Sequence, residues 1–167
     1  MVGKYRWIIC GLLFAATTIN YVDRQVLSLL KPLLEQTFHW TEKDYSYLVI
    51  VFQACYAIGF ISFGKLIDKV GTRLGYALCM CVWSVASISH AFVGGSATFA
   101  AVRGLLGFGE SGNFPSALKA VSEWFPSKER SLAVGIVTAG TSIGAIMAPA
   151  TVPWLAVKYG WQAAFII

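Results

Sequence analysis

Residues 97–118, ATFAAVRGLLGFGESGNFPSAL, form a continuous run of apolar and small residues that carries two charges, Arg103 and Glu110. The run is as long as a bilayer-crossing helix, which needs about 20 residues at about 1.5 Å each. A charged side chain near the middle of such a helix costs about 2.5–3.5 kcal/mol to insert. Arg103 and Glu110 stand seven positions apart, so they share one helix face. That face must look into a protein-lined, hydrated cavity and not at lipid. The cavity is therefore where function is to be sought.

Composition extends this constraint to the whole chain. Of 167 residues, 57% are hydrophobic and only 13% charged, whereas soluble domains carry about 25% charged residues. The implied fold class is an all-α, multi-pass membrane protein. Hydrophobic stretches predict helices over residues 7–30, 42–67, 76–93, 97–123 and 131–157, with a further helix starting at residue 161. The first stretch follows Lys4 and Arg6. It exceeds the 7–15-residue core of about that size in a signal peptide and has no A-x-A site, so a retained helix is expected.

Local signals mark the junctions. Residues 31–40 read as a loop, and Thr41-Glu42-Lys43-Asp44 fits a T-x-x-D capping box. Within the second helix, Gln53 and Tyr56 are expected as polar interior residues. Residues 64–73, GKLIDKVGTR, read as a short charged loop, and Gly94-Gly95-Ser96 as a tight turn. Trp124-Phe125-Pro126 breaks the fourth helix, and Ser127 can cap the fifth, with Glu129 in its first turn. Gly140 and Gly144 have the G-x-x-x-G spacing of close helix contacts, and Pro149 predicts a kink. The apolar close, residues 161–167, leads to the expectation that this chain is the amino-terminal piece of a longer protein.

Lys and Arg outnumber Asp and Glu by 13 to 8, an excess that invites a nucleic-acid reading until the charges are placed. Eight basic residues fall on one side of the expected spans: Lys4, Arg6, Lys65, Lys69, Arg73, Lys119, Lys128 and Arg130. Three fall on the other: Lys31, Lys43 and Lys158. The positive-inside rule then puts the amino terminus in the cytoplasm. The excess is mostly topological, and nucleic acid is dismissed as a partner.

Two arginines remain inside the spans, Arg24 beside Asp23 in the first and Arg103 in the fourth. With the first helix running outward and the fourth inward, Asp23, Arg24 and Arg103 come to lie about 8 Å outside the midplane, counted at about 1.5 Å per residue. Glu110 lies nearer the middle. Clustering lets these groups pair and stay hydrated, and it creates a binding site. An arginine fork matches a carboxylate bidentately and keeps its charge, so Arg24 and Arg103 favour an anionic ligand. Buried carboxyl groups exchange protons more readily than exposed ones near neutral pH, which makes Glu110 and Asp23 candidate proton carriers. Tyr21 and Tyr56 could hydrogen-bond a ligand at similar depth. The competing account is a structural salt-bridge network between the first and fourth helices.

Other signals do not add chemistry. Gly107 to Gly112 spells G-x-G-x-x-G, but no strand precedes it, so small residues for close helix approach are the better reading than a dinucleotide loop. His39 and His90 read as surface groups near the outer boundary, and Trp83 as a packing residue. Cys10, Cys55, Cys79 and Cys81 read as free buried thiols, with no metal or disulfide spacing. No cofactor is expected.

The stretch GKLIDKVGTR resembles the loop signature of the major facilitator superfamily, G-x-L-x-D-[RK]-x-G-x-[RK], at Gly64, Leu66, Asp68, Lys69, Gly71 and Arg73. Arg103-Gly104 followed by Gly107 is similar to that family's fourth-helix pattern. INYVDRQ (19–25), GESGNFP (109–115) and EWFPSKERSLAVG (123–135) resemble its anion:cation symporter branch, most of all bacterial hexuronate transporters for glucuronate and galacturonate. The resemblance implies two six-helix bundles of inverted three-helix repeats, of which five helices and the start of the sixth are present, with a carboxy-terminal bundle to complete the site. It implies substrate contacts at Tyr21, Arg24, Tyr56 and Arg103. Asp23 and Glu110 would couple protons, and Gly64, Asp68, Lys69, Gly71 and Arg73 would form a gating loop. Asp68, at the disfavoured end of its helix dipole, is expected to need Lys69, Arg73 or another helix's amino end.

The expected function is proton-coupled symport of a small organic anion in the bacterial inner membrane, in contact with lipid. Alternatives are a galactonate or other sugar-acid carrier, a phosphate-ester exchanger, or a carrier-like membrane sensor. An intramembrane enzyme finds no catalytic Ser/His pair, H-E-x-x-H or metal-spaced cluster in the sequence.

Overall fold

The computed structural model describes residues 2–166, and among them every regular element is helical. Helix α1 (Val2–Leu29) stops where Pro32 has no N–H to give to the carbonyl one turn back. The chain turns at Leu30 into a short helix, α2 (Lys31–Phe38), with that proline in its first turn. The stretch expected as a loop is thus largely helical, and His39 closes it in the left-handed region at φ 54°.

Helix α3 (Glu42–Val70) opens with the capping box. The Thr41 N–H donates to Asp44 Oδ2 at 2.8 Å, and the Asp44 N–H donates to Thr41 Oγ1 at 3.3 Å. Where a charged loop was expected over 64–73, α3 continues to Val70. Gly71 alone, at φ 84°, joins it to α4 (Thr72–Ser89). Only glycine takes that backbone angle at little cost, which makes a one-residue joint possible.

The fourth span is two helices, α5 (Ser96–Glu110) and α6 (Asn113–Trp124), and not one. Pro115 explains the interruption, because it cannot donate to the Ser111 carbonyl. The Gly112 N–H instead bonds three residues back, to Gly109 at 3.3 Å, tightening one turn. At the next corner the Arg130 guanidinium donates to the carbonyls of Phe125 (2.9 Å) and Ser122 (2.7 Å), covering the open end of α6. Helix α7 (Ser127–Tyr159) begins directly after Pro126. Ser127 therefore lies inside the helix and does not cap it. Helix α7 passes through Pro149 and Pro153 unbroken, and a short 3-10 turn, Trp161–Phe165, follows Gly160.

Helices α3 and α7 and the stretch Thr72–Phe92 are each long and apolar enough to cross a bilayer. Ile58 and Ile61 of α3 and Ile146 of α7 are exposed, as a multi-pass membrane chain requires. Helix α1 packs along α7, while α3 and α4 flank α5. Glycines allow the closest approaches. A Cβ on Gly140 or Gly144 would lie 2.7 Å from the Phe14 carbonyl oxygen or 2.6 Å from that of Thr18. One on Gly109 would lie 2.7 Å from the Trp83 nitrogen, so the G-x-G-x-x-G run serves helix packing.

The two ends differ. At one, Phe38, Trp40, Phe99, Trp161 and Phe165 interlock, and Trp40 Nε1 donates to Ser96 Oγ at 2.7 Å. His90 belongs to this cluster and is fully buried, contrary to its reading as a surface group. It stacks on Phe165 at 4.7 Å and donates from Nδ1 to the Ala86 carbonyl at 2.8 Å. Phe99 of α5 and Phe165 of the 3-10 turn, 75 positions on in sequence, enclose it. At the other end Arg6 pairs with Glu129 (3.0 Å), Lys119 with Asp68 (2.7 Å), and Thr72 Oγ1 donates to Glu123 Oε1 (2.6 Å). All four cysteines are free. Cys10 and Cys79 are buried, whereas Cys55 is half-buried and Cys81 exposed, so burial does not hold for all of them.

Candidate substrate and ion-coupling site

Helix α1 presents Arg24 toward α3 and α5, with the Tyr21 ring beside it. Arg24 Nε donates to Glu110 Oε2 at 3.2 Å, linking α1 to the last residue of α5. The Glu110 side chain is fully buried, while Arg24 retains 29% of its side-chain exposure. The pair therefore has a protein side and an open side. Around the Arg24 guanidinium stand the rings of Tyr56 (4.7 Å), Tyr21 (5.3 Å) and Phe52 (5.5 Å). Aromatic faces attract the cation and shield it from water, without supplying the hydrogen-bond acceptors that a carboxylate ligand supplies.

Arg103 completes the cationic layer. Its Nη2 donates to the Arg24 carbonyl at 3.2 Å, and its guanidinium lies 4.8 Å from the Phe52 ring. Its Nε and Nη1 have no partner among the described residues although the residue is buried. Two arginines thus share one aromatic wall, Phe52, and one carboxylate, Glu110, neighbours them. Guanidinium groups of this kind can bind a small anion, and a buried carboxylate can hold a proton.

Asp23 is close but turned elsewhere. It is buried against α4, where Ser87 Oγ donates to its Oδ1 at 3.4 Å and to the Phe165 carbonyl at 3.1 Å. Asp23 and Arg24 are consecutive on a helix, about 100° apart, so their side chains take different partners. Arg24 pairs with Glu110, while Asp23 bonds Ser87 and stays within electrostatic reach of Arg103 and Glu110. Gln53, expected inside, is exposed, while Tyr56 is half-buried.

Several residues here were not singled out from sequence. Phe52 touches both arginines. Tyr76 donates to Asn113 Oδ1 at 2.7 Å, and Asn113 Nδ2 donates to Thr17 Oγ1 at 3.3 Å. Asn20 and Asn113 lie within the INYVDRQ and GESGNFP stretches. An amide at the face-sharing positions of an apolar span was the available signal.

A family model described as Major Facilitator Superfamily matches residues 13–167. The chain belongs to the major facilitator superfamily. Among curated relatives of this facilitator chain, the galacturonate transporter of Dickeya chrysanthemi is 37% identical over 97% of it and 47% of the relative. The hexuronate transporter of Escherichia coli K12 is 38% identical over 97% of it and 38% of the relative. A D-galactonate transporter of Escherichia coli O6:H1 is 29% identical over 99% of the chain and 38% of the relative. The chain thus spans less than half the length of these relatives. An inward-facing, unoccupied structure of a bacterial homolog to the human lysosomal transporter Spinster superposes with a TM-score of 0.84 at 21% identity. It covers 98% of this chain and 40% of that one, and the likeness is one of fold.

In this facilitator chain the signature residues lie along the end of α3 and the start of α4. Gly64 is half-buried with open space where a Cβ would stand, and Asp68, Lys69, Gly71 and Arg73 are exposed. Neither Lys69 nor Arg73 takes the expected role of partner to Asp68. Lys119 of α6 does, at 2.7 Å, and it also donates to the Ile67 carbonyl at 3.2 Å. One lysine so neutralises Asp68 and adds a second hydrogen bond to the Ile67 carbonyl, which already accepts the Gly71 N–H at 3.0 Å.

Proposed function

We propose that this chain is the amino-terminal bundle of a proton-coupled carrier for a small organic anion, a hexuronate such as galacturonate or glucuronate. Its relatives' names support the substrate class. The observation that carries the coupling is the Arg24–Glu110 pair, one partner open and the other closed off. Without substrate, the Glu110 carboxylate balances Arg24. A substrate carboxylate that takes Arg24 leaves Glu110 charged and buried, which is costly unless Glu110 gains a proton. Anion and proton therefore bind together, and together they leave the charge of the site unchanged. Arg103 holds the anion from the other side, and the Tyr21 and Tyr56 hydroxyls donate to its sugar oxygens. Asp23, buried nearby, is a second proton-accepting group.

The carrier works by alternating access, with its amino terminus in the cytoplasm and the Lys-rich end on the inner side of the cell membrane. Asp68, Lys69, Gly71 and Arg73 form part of the inner gate against the carboxy-terminal bundle, with Gly64 leaving room for close approach. The test is uptake of galacturonate by the full-length protein in proteoliposomes, with and without an inward proton gradient. The gradient is expected to drive accumulation. Uptake indifferent to it would remove the coupling, and unchanged affinity in Arg24→Ala would remove the anchor. Competition by uronates, aldonates and sugar phosphates distinguishes hexuronate from galactonate or phosphate-ester carriers. Binding without flux would identify a sensor.

A further inference from the structure

A second polar line leaves Glu110 on the side away from Arg24. Thr17, Asn20 and Arg24 follow one another at spacings of three and four on α1, so they share a face. Thr17 meets Asn113, and Arg24 meets Glu110, three residues before Asn113. The helices are antiparallel, so these two contacts bracket Asn20 in the layer between them. Thr17, Asn20, Glu110 and Asn113 are each at most 1% exposed. Yet Asn20 Nδ2 and Glu110 Oε1 have no partner among the described residues.

Buried amides and carboxylates without partners are costly, and native membrane bundles resolve them with bound water. The hydrogen-bond directions add a second observation. Tyr76 donates to Asn113, and Asn113 donates to Thr17 Oγ1, so a continuous polar line runs from α4 to α1. The line thus ends beside one unpartnered donor, the Asn20 amide, in the layer next to the unpartnered Glu110 oxygen.

We propose that Asn20 is a positioning residue for a buried water between α1 and the α5–α6 turn, and that this water exchanges the Glu110 proton behind the substrate site. In the step, the O–H bond of the Glu110 carboxyl breaks as one forms on the water. The water then passes a proton to solvent water on the inner side, which is the final base, and is restored, so nothing else is consumed. The arrangement lets Glu110 release its proton while the substrate's side of Arg24 is occupied. The inference rests on the proton-coupled reading above.

The test uses the full-length protein in proteoliposomes with Asn20→Leu, Asn20→Ser and the isosteric Thr17→Val. Galacturonate counterflow at equal pH reports binding and conformational exchange, and gradient-driven uptake reports proton movement. Asn20→Leu is expected to keep counterflow within about twofold and to lose about tenfold in gradient-driven uptake, with a larger slowing in D2O. Asn20→Ser, small enough to admit a water, should restore part of the loss. Thr17→Val should lower gradient-driven uptake by a smaller factor. Equal gradient-driven uptake in wild type and Asn20→Leu would overturn the proposal. So would a parallel fall of both activities in Asn20→Leu and Thr17→Val, which marks a packing role. A wild type that exchanges galacturonate yet ignores the gradient defeats proton coupling itself, and is distinguishable because it appears before any substitution.

Discussion

Helix α1 meets the bundle along two seams of opposite character. Against α7 the contact is dry and close, with Gly140 and Gly144 seated on the backbone carbonyls of Phe14 and Thr18. Against α5 and α6 it is polar, with Arg24 on Glu110, Arg103 on the Arg24 carbonyl and Thr17 under Asn113. In a bilayer, neither seam gains much from the hydrophobic effect, since lipid is as apolar as leucine. The glycine stretch of the α7 seam instead gains from packing and holds no charged group, with the Arg6–Glu129 pair confined to its inner end. The polar seam holds groups whose partners can be exchanged for a ligand's. A fixed wall on one side and an exchangeable one on the other is what a binding site on a single helix requires.

The largest expected effect falls on the dry seam. Gly144→Leu forces side-chain carbon into a site where a Cβ is already 2.6 Å from the Thr18 oxygen. It should cost about 3 kcal/mol or more and remove monodisperse protein in size-exclusion chromatography. On the polar seam Arg24→Ala should spare expression but weaken galacturonate binding about a hundredfold, measured by titration calorimetry. Arg24→Lys should recover only part of it, because an ammonium lacks the two-pronged fork.

Asn113→Leu, which strands the Tyr76 hydroxyl, should lower thermal stability by about 1–2 kcal/mol and leave binding nearly intact. Lys119→Ala should cost least, about 0.5 kcal/mol in the same unfolding assay, since its pair with Asp68 is exposed. Reversal of that order between Gly144→Leu and Lys119→Ala would show that the inner-end ties, and not the helix seams, hold the bundle.

The spans were legible because uninterrupted apolar residues leave few other solutions, and the Thr41 capping box because its two bonds are local. Glu110 and Arg103 stood out by their cost in lipid. What escaped depended on rotation about helix axes or on partners distant in sequence. Asp23 adjoins Arg24, and only the facing of α1 sends one to Ser87 and the other to Glu110. Lys119 lies 51 positions from Asp68, and its role follows from how α6 docks on α3. His90 looked terminal in its helix, yet the aromatic end encloses it. The split of the fourth span was written at Pro115, but its apolar setting masked the missing N–H.

Calorimetry of galacturonate binding to the full-length protein, repeated in buffers of different ionisation enthalpy, addresses the exchange of partners at Arg24 most directly. Wild type should take up protons as the ligand binds, and Glu110→Gln should bind with that uptake abolished. Equal proton uptake in the two proteins, or none in wild type, would contradict it.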